Sequence, residues 1–268
     1  RSNAWVNTAT ENNTALTVYG GDLKGNVWRF QLENTASVPS GTVTRITSLV
    51  NASGTAQPIT TRPEMTLVGT NRIVYFATGK LLGTSDKDNS SRQSIYAIKD
   101  PMDATTSPVY SAIRGTTGFV QQTLSLISGE TDRRTATNNS VNLLTDNGWY
   151  VDLPDGGTGS PASPSERATV DPVLQLGTLV VPSNVPSDDD CVAGGFGWVN
   201  FLNARTGSFV TGSTDSAASQ RISASLIVGV NVVQLPGGTV KTIVTTADNQ
   251  QLTQNTPIAP TTTQGRRV

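Results

Sequence analysis

Closely spaced carboxylates are the residues of this chain whose types could do chemistry. Asp86-Lys-Asp-Asn-Ser90 sets Asp86 and Asp88 two residues apart with Asn89 behind them, and Asp188-Asp-Asp190 runs three acids into Cys191. Hard oxygens at alternate positions are what Ca²⁺ takes, so Asp86, Asp88, Asp188 and Asp190 are the candidate cation ligands. An EF-hand loop opening at Asp86 would need glutamate at its twelfth position, which holds Ala97. Solvated loops are therefore the first reading of both runs, and a weak extracellular calcium site the second. Glu166 with Asp152 or Asp171 would be the only glycosidase-like acid pair, but no spacing fixes their separation, and carboxylates at strand ends usually cap turns. The sequence contains no histidine. That excludes Ser-His-Asp and Cys-His catalysis and His-ligated zinc within this segment. Cys191 is the single cysteine, so it is either a buried thiol or pairs with a residue outside the segment.

The elements that must position these loops are strands. Of 268 residues 35% are apolar and 15% charged, with 25 glycines and 14 prolines, a balance that suits many short strands joined by turns. No segment keeps a 3.6-residue apolar period over 11 residues, so helix should be minor. The net charge is −1, with the basic residues dispersed, which argues against nucleic acid as a partner. No apolar run reaches the ~18–20 residues of a membrane-spanning helix. The chain opens at Arg1 rather than methionine and is expected to be a piece of a larger protein.

The clearest unit is Val18 to Leu32, which reads as strand, tight turn, strand. Asp22 bonds its own turn, Gly25-Asn26 supplies positive φ, and Trp28, Phe30 and Leu32 should be buried while Arg29, Gln31 and Glu33 stay wet. Further strands are expected at Val43–Val50, Pro58–Thr61, Met65–Val68, Arg72–Thr78 (a buried inner strand), Gln93–Ile98 and Val120–Ile127. A second hairpin is expected over Leu143–Leu153, turned at Asp146-Asn147-Gly148 and leaving on Trp149. Val173–Val181, Gly197–Leu202, Arg221–Val233 and Thr239–Thr245 follow, then a polar tail. The turns at Asp22–Gly25, Asp146–Gly148 and Asn203–Gly207 resemble one another, and such self-similarity points to propeller blades of four strands each. About four to five blades' worth of chain is present by that measure. Trp28, Trp149 and Trp198 follow glycine-containing turns and should pack between blades, with a glycan-stacking platform as the other use of such rings. Asp22, Gly25, Trp28, Gly148, Trp149 and Gly207 are thus the structural motif residues, with no catalytic or cofactor-binding residue among them.

Several segments in order resemble the C-terminal domain of the PilY/PilC-type proteins of type IV pili. They are Tyr19-Gly-Gly-Asp-Leu-Lys-Gly-Asn-Val-Trp-Arg-Phe30; Pro58-Ile-Thr-Thr-Arg-Pro63 with Val74-Tyr-Phe-Ala-Thr-Gly-Lys80 and Gln93-Ser-Ile-Tyr96; Gly148-Trp-Tyr-Val-Asp-Leu153 with Glu166-Arg167; and Val181-Pro182 with Cys191, Gly194-Gly195 and Asn203-Ala-Arg-Thr-Gly207. Gly265-Arg-Arg-Val268 is similar to the family's C-terminal end. The resemblance implies an all-β, modified β-propeller with long loop insertions, of which this chain would be the C-terminal blades. It also implies a non-enzymatic, extracellular protein at the pilus tip that aids pilus assembly and extension. Its partners would be minor pilins and a host or abiotic surface. Calcium is implied as well, in a loop upstream of the first hairpin, but Asn7–Thr17 offers one carboxylate, Glu11, so that ligand loop is not matched. The loops Leu82–Ser91, Asp155–Pro164 and Ser183–Gly194 are where contacts are expected. Two other functions fit a propeller: a quinoprotein-like dehydrogenase, echoed only by Asn203–Gly207, and a glycan-binding adhesin unrelated to pili.

Overall fold

The computed structural model describes residues 1–6, 14–35, 37–102, 106–154, 164–187, 194–223 and 225–258, and the architecture is all-β. Strands β1 (Ser2–Trp5), β2 (Thr17–Gly21), β3 (Asn26–Gln31) and β4 (Val43–Ser48) make a four-stranded antiparallel sheet in that order. The expected first hairpin joins β2 to β3: Gly25 has φ 77°, and its N–H donates to the Asp22 carbonyl at 3.1 Å. The Asp22 carboxylate accepts the N–H of Lys24 and of Asn26 and the Trp28 indole N–H, which fixes the turn from inside.

Ten strands form the next sheet: β5 (Glu64–Val68), β6 (Asn71–Ala77), β7 (Ser94–Asp100), β8 (Phe119–Leu126), β9 (Arg133–Ala136), β10 (Gly148–Asp152), β11 (Val173–Gln175), β12 (Thr178–Pro186), β13 (Gly195–Asn203) and β14 (Ala217–Ser223). Their order is β11-β12-β13-β14-β9-β8-β10-β7-β6-β5. Two antiparallel quartets, β5-β6-β7-β10 and β11-β12-β13-β14, stand at its ends. Strand β8 bridges them, running parallel to β10 over Phe119–Thr123 and antiparallel to β9 over Leu124–Leu126. A three-stranded sheet follows, β15 (Ile227–Gln234), β16 (Val240–Thr246) and β17 (Gln251–Asn255). Among the described residues the only helical segments are single 3₁₀ turns at Thr84–Asp86 and Thr214–Ser216.

Several sequence expectations are corrected. On β3 the two faces are reversed: Arg29 and Gln31 are buried, Phe30 and Leu32 are exposed by 39% and 48%, and Trp28 is half-buried beside Asp22 instead of packed in a core. Arg29 finds a buried carboxylate, so its polarity does not send it outward. No hairpin spans Leu143–Leu153. Asn142 to Asp146 close a turn (Asp146 N–H to the Asn142 carbonyl, 2.6 Å), and β10 then enters between β7 and β8. The run Val173–Val181 is two strands, turned at Leu176 (φ 46°) and Gly177 (φ 77°), and Arg221–Val233 likewise divides between β14 and β15. Ser183–Pro186 belong to β12, not to a loop, and Pro58–Thr61 form a connector, not a strand. The polar tail contains β17, while β1 and β9 are strands that the sequence did not signal.

The connectors repeat, and they hold neighbouring sheets together. Ile59 N–H donates to the Asp22 carbonyl at 3.0 Å, and Gly79 N–H to the Pro58 carbonyl at 2.7 Å. Between the two quartets of the ten-stranded sheet, Ala168 N–H donates to the Thr78 carbonyl at 3.0 Å, and Asn184 N–H to the Arg167 carbonyl at 2.8 Å. Pro58-Ile-Thr-Thr-Arg-Pro63 and Arg167-Ala-Thr-Val-Asp-Pro172 therefore play the same part. They also touch: Arg62 N–H donates to Asp171 Oδ1 at 2.9 Å. The third crossing uses a side chain, with Asn184 Oδ1 accepting Ile227 N–H and Asn184 Nδ2 donating to the Ile227 carbonyl, both at 2.8 Å.

Trp149 and Gly207, distant in sequence, meet in the main core. The fully buried indole donates to the Ala204 carbonyl at 3.1 Å and stands 6.1 Å from the Tyr75 ring. A Cβ on Gly207, where φ is 71°, would lie 2.5 Å from the indole ring. Gly207→Ala combines strain at positive φ with overpacking and should lower unfolding stability by about 2–4 kcal/mol, measured by chemical denaturation. Gly212→Ala, at φ 88° with nothing near its Cβ, separates the strain contribution and should cost about 1 kcal/mol.

Candidate functional site

Arginines carry the charged chemistry of the interior. Arg29 on β3, fully buried, forms an ion pair with Asp100 at the end of β7 at 2.6 Å and donates to Thr44 Oγ1 at 3.2 Å. The Tyr19 hydroxyl donates to the other Asp100 oxygen at 2.6 Å, and Met102 N–H donates to Asp100 Oδ1. Burial, followed by the Asp100 charge, raises the Tyr19 phenol well above its ordinary value, so it stays a donor. Arg72 on β6 reaches back to Thr17 Oγ1 on β2 at 3.0 Å and lies over the Trp5 ring. The first sheet and the second thus share one buried polar cluster.

Three further arginines repeat the device. Arg114 donates to the Val50 carbonyl and to both oxygens of Asp152, and shares Ser94 and Tyr96 with them. The Tyr96 hydroxyl donates in turn to Gln57 Oε1. Arg134 on β9 pairs with the buried Glu166 at 2.7 Å and stacks 3.4 Å above the Trp198 ring. Glu166 continues through Ser183 and Asn200 to Ser219, linking β12, β13 and β14. Arg167 donates to carbonyls of the 82–91 loop and its flank at Lys80, Asp86 and Asn89. No local sequence pattern signals these clusters, because each joins residues dozens of positions apart.

Of the candidate cation ligands, the two described ones, Asp86 and Asp88, take separate partners. Asp86 is buried, correcting the solvated reading: its carboxylate accepts Leu82 N–H and Gly83 N–H and pairs with Lys80 at 2.8 Å. The Lys80 hydrogen bond outweighs burial and holds Asp86 below the usual carboxylate value. Asp88 is exposed and pairs with Lys87. Asp188, Asp190 and Cys191 lie outside the described residues, as do Glu11, most of the 155–164 loop and Gly265–Val268. Asp152, Glu166 and Asp171 each have separate partners, Asp171 meeting Arg1 and the Arg62 N–H, so they form no acid pair. Among the described residues no three His, Cys, Asp or Glu side chains gather where they could hold a metal.

Connected blades, a repeated connector and the Asp22–Trp28 hairpin can be compared with known proteins. The family model described as the PilY1 beta-propeller domain matches residues 4–137, half of the chain. The chain belongs to the PilY1 β-propeller family. It is 30% identical over 210 residues to a type IV pilus biogenesis factor PilY1 homolog of Xylella fastidiosa, covering 74% of this chain and 14% of the relative. It is 30% identical over 226 residues to the type IV pilus biogenesis factor PilY1 of Pseudomonas aeruginosa, covering 70% of this chain and 19% of the relative. The crystal structure of the P. aeruginosa PilY1 C-terminal domain superposes with a TM-score of 0.71 at 21% identity, over 94% of this chain and 60% of that one, and shows the shared fold. The chain thus spans less than a fifth of those two curated relatives.

In this PilY1-family fold the arrangement favours structural cohesion. Charged groups that would otherwise do chemistry are buried against one another. Tyr96 gives this a pH signature: burial, offset in part by Arg114, pushes its phenol up to about 12. Its raised folded value leaves stability intact below the unfolded value near 10 and removes it as pH climbs toward 12. Tyr96 alone should cost about 2 kcal/mol between pH 9 and 11.5, read from denaturation midpoints. Tyr96→Phe should be less stable at pH 9 yet show a shallower fall above pH 10.

Proposed function

We propose that this chain is the C-terminal part of the β-propeller domain of a larger type IV pilus-associated protein. Its role is to bind and position, not to catalyse. It sits at the outer surface of a bacterium, at the pilus tip, supports pilus assembly and extension through minor pilins, and contributes to attachment to a host or abiotic surface. The observation that carries this reading is the family match over residues 4–137, joined by relatives whose printed names are pilus biogenesis factors. The chemistry supports it: Asp152, Glu166 and Asp86 are engaged by Arg114, Arg134 and Lys80 and are poorly placed to act as acids or bases.

A scaffold stitched by buried ion pairs presents its loops at fixed positions, which suits an element that transmits force along a filament. The 82–91 loop is the best-defined of the proposed contact loops, because Arg167 and Ser165 tie its backbone to the connector. The test is capture of purified minor pilin ectodomains by the 268-residue chain and by its full-length parent. A stoichiometric complex with at least one minor pilin is expected. Failure of the full-length protein to bind any minor pilin, or dye reduction after loading with quinone and calcium, would overturn the reading.

A further inference from the structure

Three of the four sheet units have their outermost strand covered. Val109 and Tyr110 N–H groups donate to the Arg45 and Ile46 carbonyls of β4, at 3.1 and 2.8 Å. Strand β8 lies against β10, and β9 lies against β14. Strand β17 is the exception among the described residues: it pairs with β16 on one side, and no described strand lies on the other. Thr246 N–H bonds the Gln250 carbonyl and Thr256 N–H bonds the Val240 carbonyl, both at 3.0 Å. By antiparallel alternation the even-numbered residues of β17 bond β16, and Gln251, Thr253 and Asn255 turn their N–H and C=O groups outward. An edge of this kind is a template for another strand.

The second observation is a cleft of about 560 Å³ beside that edge, between β17 and the outer strands β9 and β14. Its walls include Arg133, Phe201, Ser213, Gln220, Gln254 and Thr256. Arg133 is neutralised by a two-pronged pair with Glu130, at 2.5 and 2.6 Å. The wall therefore mixes hydroxyls and amides with the apolar surfaces of Phe201, Ala217 and Pro257, and its charged lining residue, Arg133, is already paired.

We propose that the outer edge of β17 docks an extended, uncharged strand, rich in hydroxyl and amide side chains and donated by a partner polypeptide. Laid along β17, such a strand completes a fourth position in the last sheet, as in the other quartets. Every second side chain then points into the cleft, where Ser, Thr, Asn or Gln can bond amides such as Gln220 and Gln254. A charged side chain there would lose water and gain no counter-charge. This inference stands on the fold and does not depend on the pilus reading.

The probe is a synthetic eight-residue peptide alternating Thr or Gln with Val, offered to the 268-residue chain and followed by fluorescence anisotropy and amide hydrogen exchange. Binding should slow exchange at Gln251, Thr253 and Asn255 at least tenfold. Thr253→Pro removes an outward N–H and leaves the bonds to β16, so it should weaken binding at least tenfold, while Thr253→Val stays within threefold. A peptide N-methylated on its bonding edge should fail to bind the unaltered protein, which covers the case of a poorly folded proline variant. A peptide with Lys for Thr and Gln should bind at least tenfold more weakly. The proposal is overturned by no binding at millimolar peptide, by equal binding of the N-methylated peptide, or by preference for the charged one. It is equally overturned if those three amides are already protected in the free chain, light scattering then telling a second copy from a cover within one chain.

Discussion

The ion pair between Arg29 and Asp100, shut away from water, is the constraint on which the rest of this structure depends. A guanidinium and a carboxylate lose several kcal/mol of hydration each when buried, and only close, fully bonded geometry returns it. Here the return is distributed: Asp100 receives Arg29, Tyr19 and the Met102 N–H, and Arg29 also reaches Thr44. Those partners come from β2, β3, β4 and β7 and the residues just after β7. The pair can form only when the first sheet and the second are docked in one register. The same reasoning applies to Arg134 with Glu166 and to Arg114 with Asp152. Hydrophobic burial drives the blades together, but it does not choose among sliding registers. Buried charges penalise every register but one.

Connectors make the complementary contribution. Ile59 crosses from the first sheet to the second and Ala168 from one quartet to the other by backbone hydrogen bonds, and Asn184 reaches the third sheet with its side-chain amide at Ile227. Close approach at Gly79 needs the absent side chain, since a Cβ would lie 2.4 Å from the Ala168 carbonyl oxygen. Arg167 then carries the effect outward, holding the 82–91 loop by its carbonyls. Cohesion at the centre and order in at least one surface loop are thus linked through a single connector residue.

Strand content, the first hairpin and the family resemblance were legible in the sequence because each is local. Asp22, Gly25 and Asn26 define their turn within five residues, and the ordered motifs point to a propeller. What failed was the meaning of alternation on β3. Trp28-Arg-Phe-Gln-Leu32 has the period of a half-buried strand, but period does not say which face is inside. The chemistry of the apolar residues points them inward, and Arg29 overrides that by finding Asp100, 71 positions away. Leu143–Leu153 failed for a related reason: Gly148 looked like a hairpin turn, yet its strand is recruited by β7 and β8 from distant sequence. Ligand count within the Asp86 run says nothing of Lys80, which lies outside the run and engages its first carboxylate.

A double-mutant cycle across Arg29→Met and Asp100→Leu, with unfolding free energies from denaturant titration, tests the central claim most directly. If the pair sets the docking of the first two sheets, each single variant should lose about 3–5 kcal/mol. The double variant should recover more than half of that loss, while amide exchange loosens across the interface between β3 and β7. Single-variant losses near those of an exposed pair, under about 1 kcal/mol and additive in the double variant, would contradict the account.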